Sequence, residues 1–237
     1  MRSASTTAVL GADGCPGNGW VVAELTVATE PSDEPSPGRL RWHHVVGAAA
    51  LLELAADLGA RVVAVDVPLG LPDAGTRACD VLARQRLKGG GASSVFAAPE
   101  RAALGHRTYA AAREQQPSLS AQAFALVARI RDVDEALRTA GPGVHDLVVE
   151  CHPEVSLRAL TGEVLPPKKS APGALRRLRA LEGELGAVPP DAPREGGLDD
   201  ALDALACAWT ARRWLGGAAQ VLGGERDATG VPMRIVV

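Results

Sequence analysis

Apolar residues in this chain follow two rhythms. Near the N-terminus they come in short runs: Thr6–Leu10, Trp20–Thr29 and Arg39–Val46, the last with Leu40, Trp42, His44 and Val46 at alternate positions. Period two predicts three strands. The loop Gly11–Gly19 and the three-proline turn Glu30–Gly38 join them as an antiparallel meander. Ala48–Leu58 shifts to a spacing of three and four and predicts a helix. Arg61–Pro72 ("RVVAVDVPLGLP") is apolar throughout its first half, as in a parallel strand buried on both faces, so a right-handed crossover returns the chain to the sheet. Helical spacing then dominates Thr76–Lys88, Ser120–Arg138, a basic stretch around Gly173–Leu185, and Leu198–Leu215. His145–Val155 reads as another buried strand and "MRIVV" at the C-terminus as a closing one. Strands interleaved with helices make the class α/β, a mixed sheet flanked by helices, as one domain over residues 1–237 with a mostly helical insert at about 76–143 between the fourth and fifth core strands.

Three of these strands end in an acid. Val9–Ala12 leads to Asp13, Val62–Val65 to Asp66, and Leu147–Val149 to Glu150. In an α/β sheet the carboxyl edge of parallel strands is where ligands bind. Asp200 and Asp203, three apart in "GLDDALDALACAWTARRW", share a helix face, with Asp199 the expected N-cap. A single such acid is a turn or cap residue. Several at one edge repel one another unless a cation offsets them. Oxygen-only donors suit Mg²⁺ or Mn²⁺, and two such ions about 3.5–4 Å apart can hold both reacting oxygens of a phosphodiester. The glycines in "GADGCPGNGW" around Asp13 then leave room for a phosphate. His152, two positions after Glu150, shares its face if the strand persists and is a further candidate to orient water or bind metal. It equally suits a structural role before Pro153, and Glu154 lies past the strand.

Net charge is −3, so a nucleic-acid partner needs a local basic patch. Two stretches offer one. Arg77, Arg84 and Lys88 precede "GGGASS", where the backbone at Ser93 and Ser94 can face a phosphate. Lys168 and Lys169 in "PPKKSAPG" are followed by Arg176, Arg177 and Arg179. Either stretch equally describes a solvated face. Cys15, Cys79, Cys151 and Cys207 form no CxxC pair, which argues against a zinc knuckle and for a reduced, cytoplasmic protein, with Cys207 in the core. Neither a signal-peptide core nor a membrane-length apolar run is seen in the sequence.

The segments "GADGCPGNGWVVA", "VAVDVPLGLP", "CDVLAR", "SSVFAAP", "SAQAFALVARI", "VECHPEVSL", "PPKKSAPG" and "DDALDALACAWTA" occur in this order. Together they resemble, over nearly the whole chain, an uncharacterised family of predicted RNase H-like nucleases. The resemblance implies strand order 3-2-1-4-5. It implies Asp13 as the central aspartate, Asp66 as the acid of the fourth strand, and Asp200 and Asp203 as the acids of the last helix, similar to Holliday-junction resolvases. RNase H enzymes proper add a Glu on the first helix. Here that helix offers only Glu53, beside Asp57 on a solvated face, and Glu150 is the preferred extra ligand. The expected function is metal-dependent cleavage of DNA or RNA. The alternatives are an actin- or sugar-kinase-like ATPase, which needs a second phosphate loop, and a non-catalytic nucleic-acid-binding module.

Overall fold

The computed structural model describes residues 6–28 and 39–237. The expected turn Glu30–Gly38 falls wholly outside them. Strands β1 (Thr6–Cys15) and β2 (Gly19–Ala28) form one long hairpin. The expected Gly11–Gly19 loop is mostly strand. Only Pro16–Asn18 turn the chain, and Gly17 (φ 70°) and Asn18 (φ 58°) give the doubly left-handed turn that fits strand twist. β3 (Arg39–Val46) pairs with β2, and α1 (Ala48–Asp57) leads through a crossover to β4 (Ala60–Val65), parallel to β1.

Beyond Val65 the expected strand stops. Pro68 lacks an N–H, and carboxylates take over as acceptors: Leu69 N–H donates to Glu150 (2.6 Å) and Leu71 N–H to Asp227 (2.9 Å). The helical region follows with α2 (Ala78–Arg86), α3 (Tyr109–Gln115), α4 (Ala121–Ala125), α5 (Val127–Ala140) and α6 (Val144–Leu147). The single helix expected over Ser120–Arg138 divides at Leu126, whose N–H bonds Ala123 O in a tighter turn. The predicted strand His145–Val155 shrinks to β5 (Val148–Glu150), because its start is helical and Pro153 opens α7 (Pro153–Thr161). Then come α8 (Ala171–Leu185), α9 (Leu198–Leu215), and the hairpin of β6 (Val221–Arg226) and β7 (Pro232–Val236).

The main sheet has the order β3-β2-β1-β4-β5, and β6-β7 is a separate pair joined to its edge by a parallel bridge from Val236 to Cys151. Alternate strand positions feed two cores. Val9, Val21, Ala64, Val149 and Cys151 pack under α9 and α8. Leu10, Ala12, Val63, Val65 and Val148 pack under α1 and α5.

One residue sets how close α9 comes. A Cβ on Gly11 would lie 2.0 Å from Ala208 N and 2.2 Å from Ala204 O. The helix backbone rests directly on β1 there, and only glycine allows it. Gly11→Ala must push α9 outward. The expected loss is about 1–3 kcal/mol, by analogy with other overpacked cores. Gly183→Ala in α8, where the added methyl meets nothing, should instead gain about 0.5–1 kcal/mol. Urea unfolding of both variants checks the contrast, and an unperturbed Gly11→Ala protein would refute the close approach.

Candidate active site

Strand register brings the first two acids together. Ala12 pairs with Val65, and Asp66 N–H bonds Ala12 O at 3.1 Å, so Asp13 and Asp66 follow side by side at the carboxyl edge. Both continue the strand positions that face α9. Asp203 comes from α9 itself, one residue before Ala204, whose carbonyl touches Gly11. The contact at Gly11 therefore delivers the helix acid to the strand acids.

Their electrostatics record the crowding. Asp13 and Asp203 are buried, while Asp66 is walled by protein but keeps a solvent-facing edge. Burial first, then Asp66 and Asp203, hold the Asp13 carboxyl well above the usual range, against the pull of the Gly14 N–H. Burial pushes Asp66 up to about 7, with Lys168 opposing and Glu154 adding. Asp203 is likewise pushed up to about 7 by burial and by Asp66, against Lys168. The Lys168 ammonium contacts Asp203 Oδ2. Asp203 Oδ1 is buried with no hydrogen-bond partner.

Two clefts meet at Asp66. The narrower, about 170 Å³, is lined by Asp13, Phe96, Leu126 and Arg129. The wider, about 550 Å³, is lined by Ser93, Lys168, Arg177 and Asp203. Ser94 and His152 border both.

A family model described as a protein of unknown function (DUF429) matches residues 11–228. The chain belongs to this family. No curated protein and no solved structure matches it. All the acids above lie inside the matched DUF429 span.

Glu150 departs from its expected place. It pairs with Val65, one step short of Asp66, and so faces away from α9. There its oxygens fill the fork of buried Arg77 (2.7 Å to each nitrogen) and accept the Leu69 N–H. Burial pushes it up to about 7 against Arg77, whose own charge the pair reinforces. Arg77 also binds Asp80 and the carbonyls of Leu69 and Gly70. Both residues, expected as metal ligand and phosphate contact, are tied up in a structural ion pair. Cys151 takes the position level with Asp66 and lies 3.5 Å from Cys207 Sγ. Glu53 is exposed on α1, across the sheet from Asp13.

Asp200 sits in the first turn of α9 and accepts the Gly197 N–H at 2.8 Å, so Gly197, not Asp199, is the cap. Its charge still reaches Asp13. His152 caps α7 rather than extending β5. Its Nε2 meets Ser94 O at 3.4 Å, its Nδ1 is buried without a partner, and burial holds its pKa below the usual imidazole range.

Gly11 and Gly14, the glycines that flank Asp13, are filled from the protein side. The Gly14 position is covered by the guanidinium of Arg129, which donates to Cys15 O and Gly19 O and lies 5.0 Å from the Trp20 ring. They serve packing, not phosphate access. Arg129 is a cleft residue that sequence pattern alone did not single out. Arg84 bonds Val95 O and lines a separate pocket with Lys88. Ser94 N–H is spent on Gly91 O. Lys169 is exposed, whereas Lys168 reaches the acids.

Hard oxygens around a partnerless Asp203 Oδ1 suit a divalent cation in chemistry. Among the described residues, however, no group of three or more His, Cys, Asp or Glu side chains stands arranged to hold one. The ammonium of Lys168 occupies the place beside Asp203 instead.

The raised carboxyls predict a pH dependence. The unfolded chain releases these protons near 3.8, the folded chain only near 7. Between those values the folded state holds more protons, so the contribution of Asp66 and Asp203 to stability is highest below the lower one. It falls as pH rises toward the upper and is flat beyond. Asp66→Asn removes part of that fall and, in EDTA, is as stable as wild type or more stable at about pH 8. Denaturation curves across this range measure it. A variant that melts well below wild type throughout would make Asp66 a structural, hydrogen-bonded carboxylate.

Proposed function

We propose that this DUF429 protein is a metal-dependent nuclease that hydrolyses a phosphodiester of nucleic acid in the cleft at the carboxyl edge of β1 and β4. The observation that carries this reading is the convergence of Asp13, Asp66 and Asp203 from two strand ends and one helix, with one oxygen left without a partner. The 3-2-1-4-5 sheet agrees with the RNase H-like relationship expected from the motifs. The four free, buried cysteines suit a reducing compartment such as the cytoplasm, and no described helix is long and apolar enough to cross a membrane.

Asp13, Asp66 and Asp203 would hold Mg²⁺ or Mn²⁺, one ion or two, with Asp200 beside them. When bound, such an ion neutralises phosphate charge and lowers the pKa of water. The chain's own residues supply the rest. His152, which borders both clefts, would help to orient a water there. Lys168 sets a positive charge in the wider cleft, where the backbone of a polyanion lies. Pro68 and Phe96 give the narrower one an apolar wall against which a base can rest.

The contact between Lys168 and Asp203 supports a second reading, in which the lysine neutralises the acids permanently and the cleft only binds. One assay separates the two. Purified protein with Mn²⁺ or Mg²⁺ should cleave DNA or RNA, EDTA should abolish it, and Asp13→Asn should lose at least about 100-fold in rate. Binding without cleavage would favour the second reading, and cleavage that survives EDTA or the substitution would place the chemistry elsewhere.

A further inference from the structure

Lys168 stands on a clamped backbone. Pro167 O accepts from Ser170 N–H (2.9 Å) and from Ser170 Oγ (2.8 Å). Pro166 O accepts from Arg177 at 2.7 Å, and the same guanidinium holds Glu154 of α7. Gly173 presses in so closely that a Cβ there would lie 2.1 Å from Pro167 O. Two prolines fix their own φ just before the lysine. The chain around Lys168 is thus held on every side, and its four-carbon side chain is the part that can move.

That side chain spans two environments. Its ammonium meets an Asp203 carboxylate that is 4% exposed, yet the lysine side chain is 35% exposed and lines the wider cleft. Asp203 offers one oxygen to Lys168 and keeps the other without a partner. Without some cation there, three acids would face each other across a buried space. An ammonium is a compact point charge on a flexible stem, easily exchanged, whereas a guanidinium would grip the carboxylate with a two-pronged fork.

We propose that Lys168 is a displaceable counter-ion: its ammonium holds the cation position beside Asp203 in the metal-free protein, yields it to a divalent ion, and swings into the wider cleft to meet the substrate phosphate. This rests on the metal-dependent reading above. The two cations compete for one carboxylate, so removing the lysine charge must strengthen metal binding.

The test is Mn²⁺ titration of the full chain, counting free Mn²⁺ by electron paramagnetic resonance, with circular dichroism as a check on folding. Lys168→Met should bind Mn²⁺ roughly tenfold more tightly than wild type, the scale of one lost competing contact. Lys168→Gln should move the same way and serves if the methionine variant folds poorly. Lys168→Arg, which keeps the charge and grips harder, should bind no more tightly than wild type. Unchanged or weaker Mn²⁺ binding in both neutral variants overturns the displacement while leaving the metal reading in place. No Mn²⁺ binding by wild type or by any variant overturns both.

Discussion

The contact of α9 with β1 at Gly11 is the constraint on which the site depends. With backbone against backbone, the helix lies too close for any side chain between. Its next residues toward the N-terminus then reach the strand ends. The small residues Ala204, Ala208 and Ala211 keep the rest of the interface thin, and Leu202 and Leu205 fill the core beside it. A sheet edge alone would present Asp13 and Asp66 to solvent. The helix closes over them, adds Asp203, and removes the water that would have softened their repulsion.

Two cations answer two sets of acids, one on each face of the sheet. Away from α9, Arg77 is enclosed by Glu150, Asp80 and two carbonyls, and that pair fixes the irregular backbone after β4. Removing one partner of such a pair would leave a buried charge uncompensated. Under α9, Lys168 serves three acids from a partly exposed side chain. The first arrangement is saturated with hydrogen bonds. The second leaves Asp203 Oδ1 and His152 Nδ1 without any, and unsatisfied polar atoms in a cleft are where function is sought.

Much of this was legible in the sequence. The strand pattern, the exact span of α9, and the acids at Asp13, Asp66 and Asp203 follow from periodicity and from where apolar runs stop. Glu150 shows what such a pattern misses. It ends a strand as Asp66 does, but a one-residue difference in register puts its side chain on the opposite face, and register is set by pairing partners far away in the chain. The parity of Val148 and Cys151 around it was the available signal. The glycines of "GADGC" were misjudged for a related reason: their neighbours, Ala208 and Arg129, come from helices more than a hundred residues on. Capping at Gly197 rather than Asp199 was a local choice, decided by Asp200 reaching back three residues.

The most direct measurement is a crystal structure after soaking in Mn²⁺, with data collected at the manganese absorption edge. The account predicts an anomalous peak within about 2.0–2.4 Å of carboxylate oxygens of Asp13, Asp66 and Asp203, with the Lys168 ammonium withdrawn from Asp203. A cleft without a peak, in which Lys168 still contacts Asp203 at saturating Mn²⁺, would contradict it.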